Sequence, residues 1–324
     1  VWGAEGDLQL VVTPMTHIMP LPNIGGRGRA RDQDTNATPR PTTPLEASPR
    51  TSSEAAPFSG VWRKGAAIGA GSYGSVFRAQ DLETGRIFAV KQAAVLDERC
   101  EADRKALERL ETELFICRSV QHPNIISYLG HQMVDGALCI FMEYMPGGSM
   151  ASMLRDYGAL SPALLQQATR GALEGLDYLH SRSPPIVHRD LKGANLLVDT
   201  HFCVKLADFG CSKQHSVTTS FTTMGSIPWM APEVISLQDG HGRKADIWSL
   251  GCTVLEMATA ETPWGRGAFD NLMYALRHIA MTDASPPVPD SLPEACRDFL
   301  AMCLQRSAAE RPSTGVLLGH PFLQ

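Results

Sequence analysis

The sequence predicts an α+β fold with two lobes, a strand-rich front half followed by a helix-rich back half. In the front half, β-type runs flank a glycine-rich turn between Ile68 and Lys91. From Ser149 onward, apolar residues recur at helical spacing in segments that are separated by loops. Pro146-Gly147-Gly148 stands between the halves and is typical of a flexible joint. We therefore expect a cleft between the two lobes.

Composition narrows the class of protein. The 324 residues suit two lobes with a tail, and 44% apolar with 19% charged residues is an ordinary globular balance. A net charge of −5 argues against a nucleic-acid binder that depends on phosphate contacts. No apolar run reaches the roughly 18 residues of a membrane span. The eight cysteines form no C-x-x-C pair, which predicts buried free thiols and a cytoplasmic location.

The composition and periodicity of the sequence change near Val61. Residues 1–57 are rich in Pro, Thr, Ser, Gly and Arg and show no sustained period. Such a segment buries too little apolar surface to offset the entropy of ordering, so we predict a disordered tail. The globular domain is predicted to cover residues 58–324, with one lobe at about 58–145 and the other at about 146–324.

The glycine turn Gly69–Gly74 has the spacing G-x-G-x-x-G, which dinucleotide-binding folds also use. The element that follows the turn shows whether the turn belongs to a dinucleotide-binding fold or to a flap between two strands. In a Rossmann fold the turn opens a helix, whereas the β-type run Ser75–Arg78 follows here. A turn at Glu83–Arg86 then leads into a second strand, Ile87–Lys91. Strand, glycine turn and strand form a flap that can cover phosphates.

The rest of the chain predicts one helix and two strands in the front half and several helices in the back half. The first helix is predicted over Asp97–Val120, because apolar residues recur on one face and Pro123 ends the pattern. The predicted strands are Ile125–Leu129 and Leu138–Tyr144, and the main predicted helices are Leu164–His180, Lys244–Thr259 and Pro293–Leu304.

The segment His188–Asn195, which reads H-R-D-L-K-G-A-N, is followed by Asp208-Phe209-Gly210. Each polar group in this set can serve phosphoryl transfer. The carboxylate of Asp190 can accept a hydroxyl proton, and Lys192 can neutralise developing charge. Asn195 and Asp208 carry the oxygen ligands that magnesium prefers. Each acidic or amide residue could also be a simple turn cap, but the combined spacing favours catalysis.

These motifs, in this order, make residues from about Val61 to Gln324 resemble a complete eukaryotic protein kinase domain. The resemblance implies the bilobal kinase fold, with ATP and Mg²⁺ as cofactors. It implies that Asp190 and Lys192 are catalytic and that Asn195 and Asp208 hold the metal. The residues implied to bind the nucleotide are Ile68, Gly69, Ala70, Gly71, Ser72, Tyr73, Gly74, Val76, Ala89, Lys91, Glu113, Met142, Glu143, Met145 and Leu197.

Within the resemblance, Lys91 matches the lysine that holds the α- and β-phosphates, and Glu113 matches the glutamate that positions this lysine. Glu111 is a rival for that role, and only one of the two can face the cleft because they lie about 200° apart on a helix. Met142 matches the bulky residue before the hinge. The hinge itself would pair with adenine through the Glu143 carbonyl and the Met145 amide.

Lys192 resembles the lysine of serine/threonine kinases, and Phe141–Ser149 together with Ala245–Thr253 resemble a MAP kinase kinase kinase of the MEKK type. The implied partner is a protein substrate, a MAP kinase kinase, with no nucleic acid and no membrane span. A Ste20-like kinase shares much of this pattern and stays an alternative. A pseudokinase scaffold is the other alternative, although the catalytic residues are retained.

The resemblance also implies supporting contacts. Ser226 would bond Asp190 and Lys192, Asp246 would hold the catalytic-loop backbone, and Glu233 would pair with Arg311. His188, Phe209, Cys117 and Tyr128 would pack as a column between the lobes. Thr222 or Thr223 would be the activating phosphorylation site, since Arg189 offers a guanidinium suited to a phosphate.

Overall fold

A computed structural model describes residues 60–71, 74–93, 114–208, 224–236, 242–267, 269 and 271–324. Within these ranges the α+β prediction is confirmed, because a β-sheet forms the front half and helices dominate the back half. The predicted tail, residues 1–57, lies outside them and stays a prediction. In the described part of the chain, no helix is long and apolar enough to cross a membrane.

The front half is a five-stranded antiparallel sheet in the order β1-β2-β3-β5-β4. The strands are β1 Trp62–Gly71, β2 Gly74–Asp81, β3 Ile87–Ala93, β4 Tyr128–Val134 and β5 Ala137–Glu143. Phe88 and Phe141 are buried on one face and meet edge to face, with Trp62 packed against both. This aromatic cluster gives the sheet a small core of its own.

The back half surrounds a buried central helix. Its helices are α1 Met150–Tyr157, α2 Pro162–His180, α3 Pro232–Ile235, α4 Arg243–Thr259, α5 Leu272–Met281, α6 Glu294–Cys303 and α7 Thr314–Leu318. Every residue from Ala245 to Met257 in α4 is buried. A two-stranded sheet, β6 Leu196–Val198 and β7 Val204–Leu206, lies between α2 and the front half. Polar residues on α4 are therefore forced to find partners inside the protein.

One predicted strand is confirmed only in part. The predicted run Ile125–Leu129 overlaps β4 at Tyr128 and Leu129, because the strand begins at Tyr128 and continues to Val134. Ile125 and Ile126 are buried because they pair with Leu206 of β7, through a parallel bridge and an N–H···O bond of 3.0 Å. The apolar character of Ile125 and Ile126 reflects their position against β7 rather than membership of the five-stranded sheet.

Helix bounds differ from the predictions by one or two residues. Helix α2 begins two residues before the predicted Leu164, because Ser161 caps it by accepting the Leu164 N–H and Pro162 occupies its first turn. Of the predicted helix Asp97–Val120, residues 114–119 are helical, and residues 97–113 lie outside the described ranges. The other two predicted helices are confirmed as α4 and α6.

Candidate active site

The backbone of the motif His188–Asn195 is held by a buried carboxylate on α4. Asp246 is fully buried, and its two oxygens accept the N–H groups of His188 and Arg189, each at 2.8 Å. His180 Nε2 lies 2.8 Å from the same carboxylate. Arg189 has a positive φ of 73°, a strained conformation that these contacts compensate. The expected role of Asp246 is confirmed.

This loop brings the predicted catalytic side chains together. Lys192 Nζ donates to both oxygens of Asp190, at 3.1 and 2.9 Å, and to the Ser226 hydroxyl at 2.5 Å. Asn195 Nδ2 donates to the Asp190 carbonyl at 2.7 Å and to its carboxylate at 2.9 Å. The side chain of Asp190 is only 10% exposed. Two side chains thus orient the Asp190 carboxylate through three hydrogen bonds, and the expected Ser226 contact with Lys192 is confirmed.

A second carboxylate meets a lysine from the sheet. Lys91 lies on β3, is buried, and its Nζ is 3.1 Å from Asp208 Oδ1. Asp208 has a φ of 63°, and its side chain is 46% exposed. The Ala207 N–H donates to the Asn195 carbonyl at 2.9 Å, so the segment that carries Asp208 is bonded to the catalytic loop. The two predicted metal ligands therefore belong to directly bonded segments.

A cleft of about 410 Å³ lies between the sheet and the helical half, and Asn195 and Asp208 form part of its wall. Its other predicted lining residues are Ile68, Gly69, Val76, Ala89, Lys91, Met142, Glu143, Met145 and Leu197. The volume lies within the range of small-molecule pockets. Apolar side chains from both lobes, together with the Lys91–Asp208 ion pair, form a site suited to a flat base that carries phosphates.

The family model described as protein kinase domain matches residues 62–323, which is most of the chain. This chain belongs to the protein kinase family. The order of its motifs had indicated the same family, and the fold described above has the two lobes expected of it.

Several curated kinases are similar to this kinase domain. Mitogen-activated protein kinase kinase kinase A of Dictyostelium discoideum is 44% identical over 81% of this chain, and mitogen-activated protein kinase kinase kinase 2 of Arabidopsis thaliana is 42% identical over 81%. Mitogen-activated protein kinase kinase kinase 3 of Homo sapiens is 42% identical over 92%. The aligned part covers 28%, 40% and 47% of these relatives, respectively.

The remaining predicted nucleotide residues lie in or beside the glycine turn, except for one. Gly71 ends β1 and pairs with Gly74, which begins β2 with a φ of 155°, and Ala70 pairs with Ser75. The flanking positions Ile68, Gly69 and Val76 line the cleft, whereas Gly74 is not part of its wall. Ser72, Tyr73 and Glu113 lie outside the described residues, as does the rival Glu111. The pairing of Lys91 with Glu113 therefore stays a prediction.

The expected column between the lobes is described at three of its four positions. Cys117 and Tyr128 line the cleft, and the Tyr128 hydroxyl contacts His131 Nδ1 at 2.5 Å. His188 is completely buried, and its Nε2 donates to the Ala207 carbonyl at 3.2 Å. His188 thus supports the segment before Asp208. The fourth position, Phe209, lies outside the described residues, together with the predicted phosphorylation sites Thr222 and Thr223.

Sequence reasoning missed Glu256, a buried residue of α4. Its Oε2 accepts the N–H of Gly193 at 2.8 Å and the indole N–H of Trp229 at 2.9 Å. It therefore joins the catalytic loop to the 3₁₀ helix Met224–Trp229, which carries Ser226. Burial raises the pKa of the Glu256 carboxyl, and the two hydrogen bonds oppose that shift. No local signal marks this residue, since it stands in an apolar helix 63 positions from Gly193.

Glu256→Ala is expected to destabilise the kinase domain by about 1–3 kcal/mol, because two buried N–H groups lose their acceptor. Glu256→Gln keeps an acceptor oxygen and removes a buried charge, so we expect it to retain both stability and activity. The raised pKa means that the folded protein carries the penalty of a buried charge at pH 7, a penalty that the Glu256→Gln variant lacks. Any gain in stability of this variant over the wild type should therefore be present at pH 7 and fade as the pH falls through that pKa and the carboxyl is protonated. Urea unfolding of both variants at several pH values is the measurement. Equal loss in both variants would contradict the role in hydrogen bonding.

Proposed function

We propose that this kinase domain transfers the γ-phosphoryl group of ATP to serine or threonine hydroxyls of a protein substrate. The observation that carries the proposal is the orientation of Asp190 by Lys192 and Asn195, beside a cleft whose wall includes Asp208. A carboxylate held in this way can accept a proton from an incoming hydroxyl. A module that only bound a nucleotide would not require such a base.

Each polar side chain would serve one part of the transfer. Asp190 would orient the substrate hydroxyl and accept its proton as the oxygen attacks phosphorus. Lys91 would bind the α- and β-phosphates from the sheet side, and Lys192 would offset negative charge on the transferred group. The Glu143 carbonyl and the Met145 amide would pair with adenine, and Leu197 would pack against its face. The sheet half thus supplies the lysine for the phosphates, and the helical half supplies the residues that act on the transferred group.

Asn195 and Asp208 fit a magnesium ion. One amide oxygen and one carboxylate are hard oxygen ligands of the kind Mg²⁺ takes, and the remaining positions would be filled by phosphate oxygens and water. In the described ranges, no group of three His, Cys, Asp or Glu side chains could hold a metal alone. When bound, the ion would neutralise charge on the phosphates.

We further propose that the protein substrate is a MAP kinase kinase and that the domain acts in the cytoplasm. The similarity to three kinases named mitogen-activated protein kinase kinase kinase, each above 40% identity, supports this substrate class. Cys139, Cys252, Cys296 and Cys303 are buried free thiols, a pattern typical of a reducing compartment.

The test is phosphoryl transfer from labelled ATP, with Mg²⁺, to a MAP kinase kinase that has itself been inactivated by mutation. The Lys91→Met variant is the control preparation. We expect label on serine or threonine of the substrate, mapped by mass spectrometry, and none with the control. ATP binding without any transfer would instead favour a pseudokinase. Transfer to a MAP kinase kinase kinase, but not to a MAP kinase kinase, would favour a Ste20-like role.

A further inference from the structure

An ion pair joins the hinge to the strand that leads into Asp208. Glu143 is the last residue of β5, and both of its carboxylate oxygens accept from Lys205 Nζ at 2.8 Å. Lys205 is the central residue of β7 and stands three positions before Asp208. The two side chains are only 21% and 15% exposed. The contact therefore joins the sheet half, through a residue that lines the cleft, to the helical half.

Segment 124–127 completes a closed ring of hydrogen bonds with this pair. Ser127 exchanges two bonds with Glu143, because its N–H donates to Glu143 Oε1 at 2.6 Å and its carbonyl accepts the Glu143 N–H at 3.0 Å. On the other side, Leu206 accepts from Ile126 at 3.0 Å and donates to the Asn124 carbonyl at 2.8 Å. The hinge and β7 are thus connected both through this segment and through the Glu143–Lys205 ion pair.

The same segment is packed tightly onto the helical half. A Cβ atom at Gly171 of α2 would lie 2.8 Å from Asn124 Nδ2, and one at Gly175 would lie 2.7 Å from the Asn124 carbonyl oxygen. Asn124 Nδ2 also donates to the Val204 carbonyl at 2.9 Å. Segment 124–127 and β7 therefore form one unit with α2. The backbone pair at Ser127 and the ion pair at Lys205 attach the hinge to that unit.

We propose that Lys205 is a positioning residue for ATP, acting through Glu143. The inference rests on the proposed function. The hinge backbone would bind adenine at one end of the cleft, and Asp208 would hold the phosphate end through the metal. A lysine bonded to the hinge and placed on the strand before Asp208 sets the separation of these two ends. Binding groups that are fixed in advance cost less to order when the ligand arrives.

Removal of the lysine leaves the Glu143 carboxylate with the Ser127 N–H but without its cation. A partly buried carboxylate then draws water or shifts toward solvent, and the hinge backbone moves with it. An ion pair that served stability alone would lower the melting temperature without changing nucleotide affinity. Separate measurements of KM for ATP and of kcat, together with the melting temperature, distinguish these two roles.

Lys205→Met is expected to raise KM for ATP by about 5- to 10-fold while kcat at saturating ATP changes by less than about twofold. Glu143→Gln should have a similar effect, and the double variant should be no worse than either single variant, because both remove the same interaction. Lys205→Arg restores a cation on β7 and should recover most of the ATP affinity.

Lys244→Met is the matched control. Lys244 lies on α4, its ammonium bonds the Arg311 carbonyl, and it does not line the cleft, so we expect lower stability with an unchanged KM for ATP. Binding of a non-hydrolysable ATP analogue by calorimetry requires no protein substrate. No binding by the wild-type domain would overturn the proposed function itself. Normal wild-type binding with equal affinity in Lys205→Met, or a raised kcat in that variant, would overturn the positioning role alone.

Discussion

Asp190→Asn is expected to lower kcat for phosphoryl transfer by about 10²- to 10⁴-fold, the usual contribution of a positioned general base. An amide cannot accept the hydroxyl proton. The geometry of the loop should survive, because the amide oxygen can take the place of Asp190 Oδ2, which accepts from Lys192 Nζ and Asn195 Nδ2 at 2.9 Å each. ATP affinity should stay close to wild type, because the proposed metal ligands are other residues. Single-turnover transfer and calorimetric nucleotide binding give the two quantities.

Asp199→Asn is a suitable control for that variant. Asp199 lies between β6 and β7, and its carboxylate accepts the N–H groups of His201 and Cys203, each at 2.8 Å. It has no place in the cleft, so activity should be nearly unchanged. If Asp190→Asn lost nucleotide affinity as strongly as it lost transfer, the assignment of Asp190 as the base would be wrong.

Arg311→Met is expected to destabilise the kinase domain by about 3–5 kcal/mol, the usual cost of removing one partner of a buried ion pair. Arg311 is 1% exposed, and its guanidinium bonds both oxygens of Glu233 at 2.6 and 2.8 Å. It also donates to the carbonyls of Gln305 and Lys244 at 2.8 Å. Methionine fills part of the volume but leaves the carboxylate and both carbonyls without this donor. Guanidinium unfolding measures the loss.

An exposed ion pair gives the comparison. The side chains of Arg155 and Asp156 are 72% and 56% exposed, so Arg155→Met should cost less than about 1 kcal/mol. If Arg311→Met lowered the free energy of unfolding by a similarly small amount, the buried ion pair would add little to stability. The double variant, with Glu233→Gln and Arg311→Met, would then have the same stability as either single variant. The expected Glu233–Arg311 pairing itself is confirmed by the structure.

The sequence by itself determined the class of fold and the family, and it predicted which polar side chains meet in the candidate active site. These depend on residues that are close together in the chain. The β-type residues directly after Gly74 exclude a Rossmann turn, because that turn would open a helix at this point. Asp190, Lys192 and Asn195 belong to a single loop, and their spacing in it brings their side chains together. The pairing of Glu233 with Arg311, 78 positions apart, was accessible only through the family resemblance.

The tertiary structure alone decided which distant residues support that loop and the hinge. Ile125 and Ile126 begin a β-type apolar run that predicted a strand, but the two residues are buried because they pair with β7. The sequence motifs singled out neither Glu256 nor Lys205. Their partners, Gly193 and Glu143, stand 63 and 62 positions away. Which charges become buried, and against which groups, depends on how α4 and β7 pack in three dimensions, and no short stretch of sequence encodes that packing.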